Sequence, residues 1–171
     1  MMKHLDELKQ DFLSKDPDVS LAAIDALAEI GGEEVFDFVI PYVNDPNEWL
    51  RMNAGMVLQD VVDQRALEPL VRAIKNPEFV ANKGTLVFAL AELDCSDLFI
   101  LLVELALSNN FEVQSHALSI LDEQTFNVTL GDVVVAEKMM ADYGLGPDKG
   151  QDYEVLLENL EDIIEEIKDN I

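Results

Sequence analysis

Few residues in this chain are of the types that do covalent or metal chemistry, and their spacing keeps them apart. The histidines are His4 and His116, and Cys95 is the single cysteine. A zinc centre needs three or four such ligands brought together; two histidines this distant along a linear array do not supply one. A lone cysteine makes no internal disulfide and no paired redox or metal motif, so a buried structural thiol is expected of Cys95. Acidic pairs such as Glu33-Glu34 and Asp122-Glu123 are types used in general acid–base catalysis. They fall at expected helix ends, and no pair stands out from its neighbours as a couple. The sequence has no Gly-rich phosphate loop, no calcium-loop spacing of acids and no distinct Ser/His/Asp set. No catalytic residue, metal ligand or cofactor is expected, and the chain reads as a non-enzyme.

Charge is the larger chemical signal. The 171 residues hold 35 acidic against 11 basic side chains, a formal net charge of -24. Such an imbalance repels phosphate, which argues against a nucleic-acid partner. It favours a basic protein partner, or serves solubility. Residues 16–50 carry nine acidic and no basic side chains, and so do residues 84–137. Between them, residues 51–83 carry four acidic side chains and five basic ones, Arg51, Arg65, Arg72, Lys75 and Lys83. Two acidic fields flanking a near-neutral centre could steer a basic protein; the alternative is a solvated surface that keeps arrays from stacking. The opening MMKHLDELKQDF lacks the apolar segment of a secretory signal. The longest apolar run, residues 98–107, is broken by Glu104 and falls short of the roughly 20 residues that span a bilayer. A cytoplasmic protein with no membrane partner is expected.

The elements that would carry these charges follow a period. Leu27, Leu58, Leu90 and Leu121 are separated by 31, 32 and 31 residues, as are Ala23, Ala54, Leu86 and Ala117. Ile30, Val61 and Leu93 continue the stripe until Gln124 breaks it. A second set keeps register: Phe36, Leu67, Phe99 and Leu130, then Val39, Leu70, Leu102 and Val133, then Ile40, Val71, Val103 and Val134. Each unit therefore holds two amphipathic helices, and neither can bury its stripe without a neighbour. Asp16-Pro17, Asp45-Pro46 and Asn76-Pro77 open successive units with a capping side chain and a first-turn proline. Asn109-Asn110 opens the fourth. Gly31-Gly32 predicts a left-handed helix cap. Leu5, Leu8 and Phe12, shifted by 31 residues, land on Phe36, Val39 and Val43, so residues 3–13 read as a half-repeat. Residues 125–132 and 144–152 read as irregular. Residues 152–169 read as a longer closing helix with one apolar stripe and an acidic outer face.

The Asp-Pro opening, an arginine, alanines, a leucine and then RALEPLVRAI in residues 45–76 resemble the short HEAT repeat of phycobilisome-lyase type. The resemblance covers residues 16–140. It implies an all-α fold, a right-handed α-α superhelix of about four hairpins. The expected single domain runs over residues 1–171: half-repeat 3–13, repeats 16–44, 45–75, 76–108 and 109–143, and the closing helix 152–169. The arginine usual in the repeat stands only at Arg51, with Ser20, Lys83 and Gln114 at the equivalent positions.

Such families are usually protein-binding scaffolds, with the second helices lining the concave side. Positions opposite the buried stripe are Glu34, Phe38 and Pro41, then Arg65, Pro69 and Arg72, then Asp97, Leu101 and Glu104. Phe38, Pro69 and Leu101 would form an apolar ladder edged by charge, a candidate site for a basic partner protein; the plainer reading is that neighbours cover Phe38 and Leu101. Charge and size allow a narrower version, an inhibitor or immunity protein of a basic toxin. The resemblance also allows a chromophore lyase or isomerase subunit, and the repeats alone allow a structural assembly module. The closing helix could cap the array or occupy its groove.

Overall fold

The computed structural model describes residues 4–147, 150 and 152–171, and several of its helices begin where a side chain replaces a missing backbone partner. Asp16 caps α2 (Pro17–Ile30), its carboxylate accepting from the Asp18 and Val19 N–H groups, with Pro17 in the first turn. Asn110 caps α8 (Phe111–Glu123) through the Val113 N–H. The other two openings differ from expectation. Asp45 accepts from the Asn47 N–H at 2.8 Å, and it is Asn47 that caps α4 (Glu48–Asp60). Asn76 accepts from the Glu78 N–H at 3.0 Å, but no helix starts there. The third first-helix is α6 (Lys83–Phe88), six residues long, preceded by Asn82 at φ 57°. Beyond it the Leu90, Ala91 and Leu93 N–H groups bond three residues back, the tighter winding of a 3-10 turn.

Between α2 and α3 (Gly32–Val39), Gly31 has φ 59° and ψ -158° and Gly32 has φ 78°. The expected left-handed cap is, at Gly31, an extended positive-φ conformation that only glycine enters readily. Pro41 then ends α3, because it has no N–H to continue the ladder, and residues Ile40–Asn44 wind as a 3-10 helix.

The chain forms two compact units, residues 1–94 and 95–171, where the period suggests one continuous domain. In the first unit α1 (Leu5–Phe12) packs on α2, α2 on α4, and α4 on α6. The second-helix elements follow alongside: α3 with its 3-10 extension, then α5 (Leu67–Lys75). Leu27, Leu58 and Leu90 are buried, as are Ala23, Ala54 and Leu86. The half-repeat behaves as its register requires, with Leu8 and Phe12 buried. Ile30 departs from the stripe and is half exposed, because α2 stops at it and the glycine turn carries the chain away.

The second unit packs α7 (Phe99–Ala106) on α8 and α9 (Leu130–Leu145), and α10 (Tyr153–Asp169) on α9 and α8. Residues 125–129 are irregular, as expected, and Thr129 and Asp132 form a capping box that starts α9. Leu156, Leu160 and Ile164 bury the stripe of α10. The expected loop at 144–152 begins later, since Gly144 and Leu145 end α9. Of that expected loop, Asp148, Lys149 and Gln151 lie outside the described residues, as does Lys3 of the half-repeat. In α9 only part of the register holds: Val133 is buried, but Leu130 and Val134 are 67% and 63% exposed. The described residues contain no strand, and no helix among them is long and apolar enough to cross a membrane.

Candidate protein-interaction surface

The second-helix side of the first unit is built on an aromatic cluster. Phe12 ends α1 with its side chain fully buried. Phe38 on α3 meets it edge-on, ring centroids 5.3 Å apart, and Tyr42 closes the triangle at 5.4 and 5.5 Å. Such edge-to-face pairs add about 0.5–1.5 kcal/mol beyond area burial. Phe38 is thereby half-buried, anchored beneath while one side stays open.

Charge is laid over the rings. Lys9 Nζ sits 5.7 Å from the Phe38 ring centre and 2.7 Å from Glu34 Oε1. On the other flank of α3, the Arg65 guanidinium stacks 4.4 Å from the centre of the Phe36 ring. It donates to both carboxylate oxygens of Asp63, at 2.7 to 3.1 Å, and lies 3.7 Å from Glu33 and 3.9 Å from Asp37. Those hydrogen bonds hold the Asp63 carboxyl below the usual carboxylate range and raise the guanidinium pKa. Asn44 donates to the Pro69 carbonyl at 3.0 Å, fixing the 3-10 helix against α5. Pro41 and Arg72 are exposed and Pro69 is half-buried; Arg72 approaches Glu68 at 3.5 Å.

Arg51, counted with the basic centre from sequence, is buried at 4% exposure. Its guanidinium donates to the Asp45 and Pro46 carbonyls at 2.7 and 3.0 Å, and lies 3.9 Å from the Phe79 ring centre. It is a clamp on the repeat opening and contributes no surface charge. Arg51 is inside, and Glu33, Glu34, Asp37, Asp63 and Glu68 stand around Lys9, Arg65 and Arg72, so this side carries more carboxylates than exposed cations.

The remaining predicted residues belong to the second unit. Leu101 is buried at 7% exposure, so the expected ladder loses its third rung. Helix α7 is apolar nearly all round and is enclosed, with Leu102, Val103 and Ala106 fully buried. Glu104 is exposed, and Asp97 accepts from the Asn127 side-chain amide at 2.8 Å, tying the irregular 125–129 stretch down. Cys95 is fully buried, its N–H donating to Gln124 Oε1 at 3.0 Å. The predicted residues are therefore not gathered on one surface of one unit. Glu34, Phe38, Pro41, Arg65, Pro69 and Arg72 share the first. Lys9, Glu33, Asp37, Tyr42 and Asp63 belong with them and were not picked out from the sequence. The Asp63-x-Arg65 spacing just before a helix was the one local signal available. No three or more His, Cys, Asp or Glu among the described residues are placed to hold a metal ion.

A family model for HEAT repeats matches residues 5–84, a span that lies within the first compact unit. No curated protein matches the chain.

Proposed function

We propose that this chain binds a basic partner protein on the α1–α3–α5 side of its first unit, a reading supported by the match of residues 5–84 to a family model for HEAT repeats, which commonly form protein-binding surfaces. The observation that carries the reading is the excess of carboxylates there, Glu33, Glu34, Asp37, Asp63 and Glu68 around Lys9, Arg65 and Arg72. Lys9 and Arg65 are held by Glu34, Asp63, Glu33 and Asp37, and Arg51 is buried. An approaching protein meets carboxylates around a rigid, half-open aromatic step at Phe38 and Tyr42. Lysines and arginines on the partner would gain steering from the field, and an apolar side chain could rest on the rings. A basic toxin or nuclease held in this way is the narrower form of the reading, supported by the acidity.

The test is an affinity pull-down from native extract at low and high salt, repeated with Glu33→Lys/Asp37→Lys. Both carboxylates are exposed, so the fold should survive the change. A basic protein recovered at low salt by the native chain and lost by the variant is the expected result. A partner that ignores the reversal would remove this surface from the reading. Recovery of nothing at either salt would count against a basic partner altogether.

A further inference from the structure

We propose that the groove between α9 and α10 docks a basic amphipathic helix of another protein. This surface is in the second unit and does not rest on the α1–α3–α5 reading. The groove encloses about 740 Å³. Met140, Ala141 and Leu145 of α9 and Leu157 and Ile164 of α10 line it. At one end the helices nearly touch, since a Cβ on Gly144 would lie 3.2 Å from Leu157 Cδ1. At the other end Lys168 bridges them, 2.6 Å from Glu137 and 2.9 Å from Glu165.

Two further observations define the occupant. The apolar lining continues along α9 from Leu145 in the groove, 87% exposed, to Leu130 and Val134 beyond it, 67% and 63% exposed. Spacings of 4 and 11 residues put these three on one helical stripe. Single exposed leucines are ordinary, but an aligned stripe running into a groove is a contact surface. The rim is acidic: Glu161 and Asp162 line the groove, and Lys168, the one lining cation among the described residues, is already held by two carboxylates. A helix with apolar anchors at i, i+3 or i+4 and i+7 matches the stripe, and flanking lysines or arginines match the rim. A second copy of this chain fits poorly, since the outer face of its own α10 is acidic and its net charge is -24.

Fluorescence anisotropy on the full chain, with a labelled Leu/Lys amphipathic helical peptide, tests the proposal. A Leu/Glu peptide of the same pattern and a scrambled Leu/Lys peptide are the comparisons. The patterned Leu/Lys peptide should bind at least about tenfold tighter than either. Leu145→Gln, at a site too exposed to disturb folding, and Glu161→Lys/Asp162→Lys should each weaken it by about tenfold. Asp25→Lys/Glu29→Lys, on α2 of the other unit, should change it by less than about threefold. Equal binding of the scrambled peptide, or equal loss in the α2 variant, would mean general attraction to an acidic protein and would overturn the site. So would a dimer in sedimentation equilibrium that Leu145→Gln abolishes, because the occupant would then be a second copy.

Discussion

A buried guanidinium without a carboxylate is an expensive choice, and Arg51 shows what makes it tolerable. No carboxylate among the described residues lies within ion-pair distance of it. Two backbone carbonyls and one aromatic face supply its partners, and Arg is weakly enough hydrated to accept them. Its Nε finds no acceptor, so satisfaction is incomplete. Arg51→Ala should lower unfolding free energy by about 2 kcal/mol, since hydrogen bonds to a charged group are worth about 1.5–3 kcal/mol each and some water will enter. Arg51→Lys should recover only part of that, because an ammonium cannot serve both carbonyls and stack on Phe79. Urea unfolding of the two variants checks both figures; full rescue by lysine would show that the planar stack contributes nothing. The sequence displayed this arginine but not its burial. An Arg in the first turns of a helix looks alike whether it faces water or folds back on the opening, and its ring partner stands 28 residues further on.

At the scale of elements, α4 and α6 approach closely at Gly55. A Cβ on Gly55 would lie 3.2 Å from both Leu86 Cδ2 and Thr85 Cγ2, and 3.5 Å from the Thr85 carbonyl oxygen. Gly55→Ala should be nearly neutral, a helix-propensity gain of about 1 kcal/mol offsetting a small shift of those side-chain ends. Gly55→Val should cost about 2 kcal/mol, because its branch reaches the carbonyl behind them and Thr85 is stiff. Chemical denaturation reads the difference; a valine variant as stable as the native chain would mean the two helices stand further apart. The helices and their buried stripe were legible because a period of 31 or 32 residues repeats an apolar pattern that only stacked hairpins can bury. Leu27, Leu58, Leu90 and Leu121 all lie in the core. Illegible were the places where one copy departs from its siblings. The shortened α6 follows from a segment that swings Phe79 under Arg51 and needs Asn82 at positive φ. Leu130 and Val134 keep the register yet stand 67% and 63% exposed, because burial depends on what packs against α9 and no window of α9 contains that. For the candidate surface, the sequence named Phe38, Arg65 and Pro69 but not what holds them, since Phe12, Lys9 and Asp63 come from other elements. Leu101 was misplaced because opposite-face reasoning assumes a helix with one wet side, and α7 has almost none.

For the whole molecule, charge is the dominant long-range force. The first unit holds 18 acidic and eight basic residues, the second 17 and three. Both are net anionic, so self-repulsion works against compactness in each. Raising NaCl from about 0.01 to about 0.1 M shortens the screening length from about 30 to about 10 Å. The midpoint of thermal unfolding should then rise by a few degrees, as differential scanning calorimetry would register. A fall instead would mean that Lys9–Glu34, the Arg65 cluster and Lys168 contribute more than the repulsion removes. The stacked-hairpin arrangement has one more consequence, which concerns how the chain gets there. The side-chain hydrogen bonds that tie separate elements together span 25 residues from Asn44 to Pro69, 30 from Gln64 to Asp94 and 41 from Asn53 to Phe12. Each of these three closures is short, and the entropy of closing a loop grows only with the logarithm of its length. Low contact order of this kind belongs to fast folders, and an array of near-equivalent hairpins can nucleate at whichever forms first. Within the first unit, assembly would then proceed hairpin by hairpin in the order of synthesis.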